Sequence, residues 1–118
     1  MSQRILVVDD SATVRAQVSA VLAPAGFQVI EAADGVEALE RLAAEAVSLM
    51  ILDVNMPQKN GLEVLESLPE GATVPVLVLT TEGQPEKIAR ARALGAKGWM
   101  VKPFRAEQLL AAARKLAR

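Results

Sequence analysis

Five short apolar runs, each followed by a stretch with helical spacing of apolar residues, most strongly constrain the fold. The runs are rich in Val, Ile and Leu, and they cover residues 5–8, 29–32, 47–52, 74–79 and 99–101. Short runs of this composition predict buried strands. Strict alternation of strand and helix predicts a parallel sheet with right-handed crossovers and helices on both faces. We therefore predict an α/β chain with one doubly wound sheet of strand order 2-1-3-4-5 and five helices.

Caps, breakers and apolar stripes predict where the helices lie. Ser11 can cap the first helix, because its hydroxyl can accept a free amide of the first turn, and Pro24 lies near its end. The second helix opens after Asp34, and its spacing predicts Val36, Leu39 and Ala43 on the inward face. The other three helices are predicted over residues 61–68, 85–94 and 105–116.

Composition limits the chemistry that is open to the chain. Its 118 residues suffice for one core, so we expect residues 1–118 to form one domain without an effector domain. It has no Cys and no His, which excludes disulfides, Cys/His zinc sites and Cys or His catalysis. A metal would have to be a hard cation bound by oxygen. No apolar run approaches the ~20 residues of a membrane span, and no signal peptide is recognisable, so a cytoplasmic location without membrane contact is expected.

The charge is distributed unevenly along the chain. Residues 1–70 carry 11 acidic and 4 basic side chains, whereas residues 71–118 carry 3 acidic and 9 basic ones. Nucleic-acid binding favours a domain that is basic as a whole, so no nucleic-acid partner is expected. The simplest explanation is a set of solvated helix faces. The sharper interpretation is an acidic pocket from the first half and a basic partner face from the second.

Polar side chains follow four of the predicted strands directly. They are Asp9 and Asp10 after the first strand, Asp53 after the third, Thr80 after the fourth and Lys102 after the fifth. Strands 1 and 3 are neighbours in the predicted order, so three carboxylates meet at the carboxyl edge where ligands bind in such sheets. Each signal alone is explained by a helix cap, a surface turn or packing, but their coincidence favours a common site.

A divalent cation is the natural partner for three carboxylates that converge. Mg²⁺ fits best, because it takes a few carboxylates and keeps waters that phosphate oxygens can replace. With the ammonium of Lys102 and the hydroxyl of Thr80, the edge would suit a phosphoryl group. Asp53 is the carboxylate that can attack phosphorus and form an acyl phosphate.

Four segments carry a resemblance to a known family, and it extends over the whole chain. They are residues 8–11, 52–57, 79–82 and 98–104, with the sequences VDDS, LDVNMP, LTTE and GWMVKPF. The chain resembles the receiver domains of two-component response regulators, and among them the stand-alone chemotaxis regulators of the CheY type. The resemblance implies the flavodoxin-like, CheY-like fold and a signalling switch whose only catalysis is its own phosphorylation and dephosphorylation.

The resemblance also implies a role for each matching acidic residue. Asp53 would accept the phosphoryl group of a kinase phosphohistidine. Asp10 and Asp53 would ligate Mg²⁺ directly, Asp9 would act through water, and Asn55 would give its backbone carbonyl.

The switch residues are implied in the same way. Lys102 would pair with the phosphoryl oxygens, and its bond to Pro103 should be cis. Thr80 would move to bond the phosphoryl group, and the ring of Trp99, where the family usually has Tyr or Phe, would rotate into the vacated space. Further implied positions are those that tune the phosphoryl lifetime and those that form turns: Asn55, Thr81, Glu82, Pro57 and Gly61.

The implied partners are a CheA-like histidine kinase and a flagellar motor switch. The basic face made by the fourth helix, fifth strand and fifth helix carries Lys87, Arg90, Arg92, Lys97, Arg105, Arg114 and Lys115. A monomer is expected, with phosphorylation-dependent dimerisation left open. Two alternatives remain in the family, a phosphorelay shuttle and a phosphate sink. Outside it, an aspartyl-phosphate phosphatase is disfavoured, because Asn55 occupies the place of a general acid, and an FMN-binding module is disfavoured by the acidic cluster.

Overall fold

The structure is a computed structural model, which describes residues 3–54, 61–68, 74–81 and 85–117. Strands and helices alternate throughout, as predicted. The elements in chain order are β1 (Arg4–Val8), α1 (Ala12–Leu22), β2 (Gln28–Ala32), α2 (Gly35–Ala44), β3 (Leu49–Asp53), α3 (Gly61–Ser67), β4 (Val76–Thr81), α4 (Pro85–Ala93), β5 (Gly98–Lys102) and α5 (Ala106–Leu116). None of the helices in these described ranges is both long enough and apolar enough to span a membrane.

The five strands form one parallel sheet in the order β2-β1-β3-β4-β5, which confirms the predicted topology. β1 lies between β2 and β3, and β5 forms one edge. The switch point of a doubly wound sheet lies where the strand order reverses, here between β1 and β3. A crevice at the carboxyl ends of these two strands is the expected ligand position.

The sheet separates two apolar cores, because successive side chains along a strand point to opposite faces. One core joins Val8, Leu52 and Val78 to side chains of α2, α3 and α4. The other joins Val7 and Ile51 to side chains of α1 and α5. Burial on both faces explains why the strands read as continuous aliphatic runs rather than as alternating patterns.

The predicted inward face of α2 is correct for Leu39 but wrong for Val36 and Ala43. Asp34 caps the helix by accepting a hydrogen bond from the Glu37 amide at 2.8 Å. Ala38 is buried, and Leu39 and Leu42 pack against the core, whereas Val36 is 51 % exposed and Ala43 is also exposed. The small Ala38 side chain lets the helix approach the sheet. The spacing of apolar residues in α2 was compatible with more than one inward face, because apolar residues occupy several neighbouring positions of this helix.

Candidate functional site

Strand register brings two carboxylates side by side. Val8 of β1 pairs with Leu52 of β3, so the next residues, Asp9 and Asp53, are neighbours at the carboxyl edge. Both side chains are almost completely buried. Two buried carboxylates side by side need positive charge nearby. Removal from water disfavours their ionised form, and their mutual repulsion adds to that penalty.

Lys102 supplies that charge from the edge strand. Its Nζ lies 2.8 Å from Asp9 Oδ2 and 3.3 Å from Asp53 Oδ2. Burial lowers the pKa of the ammonium, but the hydrogen bond to Asp9 and the charges of Asp53 and Asp9 outweigh that effect, so the Lys102 pKa lies above its ordinary value. The side chain is therefore a permanent cation at neutral pH. The Lys102–Pro103 peptide bond that follows is cis.

Every polar atom of Asp9 has a partner. Its amide donates to the Ala32 carbonyl at 3.1 Å, and its carbonyl accepts from Arg15 Nη1 at 2.6 Å. Its Oδ1 accepts from the Ser11 amide at 2.9 Å, and its Oδ2 accepts from Lys102. These hydrogen bonds hold both the backbone and the side chain of Asp9 in place at the site.

Asp9, Asp10 and Asp53 form a group that could hold a metal ion. Each offers a carboxylate oxygen, and these oxygens all lie within 4.8 Å of one another. Asp10 is exposed, whereas the other two are buried. An all-oxygen donor set with one solvent-facing member suits a hard cation that keeps some of its waters, and Mg²⁺ is such a cation.

The Thr80 hydroxyl is the one polar side-chain atom in the described ranges that is buried without a hydrogen-bond partner. Leaving such a group unpaired destabilises a protein by about 1–3 kcal/mol, so an unpaired hydroxyl at a strand end indicates a bond that another state or a ligand completes. Thr80 pairs with Val101 on β5 and lies at the same edge as Asp53.

The ring of Trp99 lies on the outside of the protein. Trp99 is 44 % exposed, and the guanidinium carbon of Arg92 lies 4.9 Å from its ring centroid. Because Trp99 pairs with Val78, it is on the same face of the sheet as Thr80. Trp99 also lines a surface groove of about 500 Å³ between β5 and α5, together with Lys97 and Lys115.

Gly61 begins α3 at the point where this helix contacts the end of β3. A Cβ at this position would lie 2.6 Å from the Asp53 carbonyl oxygen and 2.8 Å from the Val54 Cα. Neither is the flexible end of a side chain, so only Gly permits the contact. Gly61 therefore helps to set the position of the Asp53 backbone.

Several expected site residues lie outside what the structure describes. These are Asn55, Pro57 and Glu82, together with the side chain of Thr81, whose backbone ends β4. The five residues predicted to form the phosphoryl site and its switch at the strand ends do come together at one edge: Asp9, Asp10, Asp53, Thr80 and Lys102. Their suggested roles stay predictions.

Sequence reasoning missed three contributors around the site. Arg15 contacts the Asp9 carbonyl and pairs with Glu31, and Arg92 covers Trp99. A cation at the start of α1 was a usable signal, because positive charge near a helix N-terminus is unfavourable unless an acceptor or anion is close. For Arg92 the sequence carries no comparable signal.

Comparison with known proteins matches the chain to one family. The model of the response regulator receiver domain matches residues 5–114. The chain belongs to this receiver-domain family. Receiver domains are modules of two-component signalling. They interact with histidine kinases and are generally not enzymes.

Individual relatives of this receiver domain point in two directions. The response regulator MprA of Mycobacterium ulcerans is 43 % identical over 119 residues, which cover 100 % of this chain and 51 % of MprA. The structure of the chemotaxis protein CheY4 of Vibrio cholerae is 40 % identical with a TM-score of 0.91, and the match covers 98 % of this chain and 99 % of CheY4. A putative response regulator from Chloroflexus aurantiacus is 29 % identical with a TM-score of 0.90, covering 98 % of both chains. The chain spans about half the length of the curated relatives it matches.

Proposed function

We propose that this receiver domain accepts a phosphoryl group on Asp53 from a histidine kinase, with Mg²⁺ bound, and that phosphorylation alters the face formed by α4, β5 and α5. One observation carries the first part. The buried Asp53 carboxylate lies 3.3 Å from a cation and within 4.8 Å of carboxylate oxygens from Asp9 and Asp10. This is the charge pattern that phosphoryl transfer to a carboxylate needs.

In the transfer, a carboxylate oxygen of Asp53 forms a bond to phosphorus as the phosphorus–nitrogen bond of the donor phosphohistidine breaks. The electron pair of that bond returns to the imidazole nitrogen. Asp9, Asp10, Asp53 and the Asn55 carbonyl are the residues that would hold Mg²⁺, which would offset the negative charge of the phosphoryl oxygens. Lys102 stabilises a phosphoryl oxygen by charge, in exchange for part of its contact with Asp53.

The switch part rests on the unpaired hydroxyl of Thr80. A phosphoryl oxygen at Asp53 offers the missing acceptor, and Thr80 moves to donate to it. The space that Thr80 leaves is on the face of Trp99, whose ring then turns inward. Phosphorylation acts by shifting the balance between two packed arrangements rather than by creating a new one.

The phosphorylation test uses a small phosphodonor, acetyl phosphate, with Mg²⁺. We expect mass spectrometry to find one added phosphoryl group on the wild type, none in EDTA and none on Asp53→Asn. Asp34→Asn is the matched control, because Asn also caps helices and Asp34 lies at the start of α2. Equal phosphorylation of Asp53→Asn would refute the assignment, and repeated turnover of a phosphomonoester would favour a phosphatase instead.

The output is proposed to be a CheY-like interaction with the flagellar motor switch. The near-complete coverage of CheY4 and the exposed basic side chains of the α4-β5-α5 face support this proposal. An acidic motor-switch peptide should bind the phosphorylated protein more tightly, and binding should weaken at high salt. Unchanged binding would favour a phosphorelay shuttle or phosphate sink.

The likeness to MprA supports a second candidate, a receiver that acts as one half of a longer response regulator. It remains a prediction that residues 1–118 form a stand-alone domain, that this domain is a monomer and that it is cytoplasmic. In that case phosphorylation should promote self-association of the receiver without affinity for the motor-switch peptide. Sedimentation velocity with and without acetyl phosphate distinguishes the two candidates.

A further inference from the structure

Next to Asp9 lies an interaction that has no role in the proposed phosphoryl transfer, a bridge formed by Arg15 between the Asp9 carbonyl and Glu31. Arg15 of α1 donates from Nη1 to the Asp9 carbonyl at 2.6 Å and from Nε to Glu31 Oε1 at 3.0 Å. Arg15 is only 17 % exposed in its side chain, whereas Glu31, on β2, is 49 % exposed. The bridge thus links three elements, α1, β2 and the end of β1.

The position of the contact makes it relevant to the site. The Asp9 carbonyl belongs to the peptide group that joins Asp9 to Asp10. Asp9 itself is fixed through its amide and both carboxylate oxygens, but Asp10 is exposed and follows that peptide group directly. The guanidinium therefore controls the orientation of the peptide plane from which Asp10 extends toward Asp53.

Glu31 has a separate part in this arrangement. A guanidinium bound at the Asp9 carbonyl could otherwise turn toward the carboxylate of Asp10, the next residue, and compete with a metal ion. The ion pair with Glu31, together with the forked geometry of the guanidinium, directs Arg15 to the carbonyl oxygen instead. The two residues act as a unit, with Arg15 as the support and Glu31 as its anchor.

We propose that Arg15, held by Glu31, is a positioning residue that presets the Asp9–Asp10 peptide for metal binding. The proposal rests on the proposed function, since it assumes that the acidic edge binds Mg²⁺. Groups that orient metal ligands commonly change metal affinity by 10–100-fold when they are removed. The guanidinium acts through the Asp9 carbonyl oxygen, so Arg15 is a positioning residue and not a catalytic one.

The sign of the effect separates positioning from simple electrostatics. If Arg15 acted only through its charge, its removal would leave the acidic edge more negative and Mg²⁺ would bind more tightly. If it positions the peptide, Arg15→Gln should bind Mg²⁺ about tenfold more weakly. Arg15→Lys keeps the charge but not the fork, so it should show a smaller loss of affinity.

Mg²⁺ affinity is to be measured on the unphosphorylated protein, from the amide shifts of Ser11 and Val54 in a magnesium titration. In EDTA, amide hydrogen exchange at Ser11 gives a readout that needs no metal. We expect faster exchange there in Arg15→Gln, with little change in thermal stability. Arg41→Gln is the matched control, because it removes an Arg–Glu pair on α2 at 3.5 Å that is remote from Asp9.

A double-mutant cycle completes the test. Glu31→Gln should weaken Mg²⁺ binding in the wild type but should have little further effect in Arg15→Gln, because its action runs through Arg15. Unchanged or tighter Mg²⁺ binding by Arg15→Gln would overturn the positioning role while the wild type still accepts phosphoryl groups. A wild type that binds no Mg²⁺ would overturn the proposed function itself, and this inference with it.

Discussion

The contact between Arg92 and Trp99 is a testable element of the proposed switch. The guanidinium lies 4.9 Å from the ring centroid, and the ring is 44 % exposed. An indole that turned inward toward Thr80 would leave this exposed cation behind. The contact therefore stabilises the outward arrangement alone, and Arg92→Gln should shift the resting protein toward the inward one.

The size of this shift follows from the exposure of the contact. A cation–π contact at an exposed site contributes about 0.5–1 kcal/mol. Because about 1.4 kcal/mol corresponds to a tenfold change in an equilibrium constant, its loss should raise the inward-to-outward ratio about two- to fivefold. The effect is a change of population, so phosphorylation should still complete the transition in the variant.

The assay uses the fact that Trp99 is the only Trp in the chain. Its indole N–H gives one signal in a ¹⁵N–¹H spectrum, and in fast exchange the position of this signal reports the population. We expect the resting signal of Arg92→Gln to move from the wild-type position toward the phosphorylated position. Arg90→Gln is the matched control, since it makes the same charge change on α4 but removes a pair with Glu66.

Two results would refute this reasoning. If the signals of Arg92→Gln and Arg90→Gln coincide, the change reflects only the lost charge and the contact does not bias the ring. If the Arg92→Gln signal moves away from the phosphorylated position, the contact favours the inward arrangement and its assigned direction is wrong.

Three further predictions concern the site. Thr80→Val should raise the free energy of unfolding of the unphosphorylated protein by about 1 kcal/mol in urea denaturation, because it removes a buried unpaired hydroxyl at constant shape; a loss of stability would show that the hydroxyl has a partner. Gly61→Ala should lower the unfolding free energy by more than about 1 kcal/mol and slow phosphorylation, because its Cβ would meet the Asp53 carbonyl oxygen at 2.6 Å. Lys102→Met should lower the melting temperature in EDTA, because it removes the ammonium that contacts both Asp9 and Asp53, and Mg²⁺ should raise the melting temperature more than in the wild type; equal Mg²⁺ effects would contradict this.

The sheet and the position of the site could be predicted because both follow from the chain order of short periodic elements. Aliphatic runs that alternate with helical stripes leave few topologies, and a parallel sheet sends all carboxyl ends to one edge. Asp9, Asp53 and Lys102 therefore could be placed together before any distance was known. Their contacts of 2.8 and 3.3 Å agree with that reasoning.

Side-chain partnerships between elements could not be predicted in the same way. The pair of Arg15 and Glu31 joins α1 to β2, and the pair of Arg92 and Trp99 joins α4 to β5. Such contacts depend on rotamers and on how helices are rotated about their axes. Val36 was wrongly placed on the inward face of α2 for the same reason, although Leu39 of the same prediction does pack against the core.

The two faces of the sheet indicate how the proposed coupling would pass from Asp53 to Trp99. Asp9, Asp53 and Lys102 share the face of α1 and α5, whereas Thr80 and Trp99 share the face of α4, as the strand register requires. A phosphoryl group on Asp53 can reach the second face only around the end of β4, where Thr80 lies. The Thr80 hydroxyl is buried without a hydrogen-bond partner, and such groups typically destabilise a protein by about 1–3 kcal/mol. In the proposed switch, a phosphoryl oxygen would accept from this hydroxyl only after Thr80 has moved, so the new hydrogen bond would favour the switched arrangement.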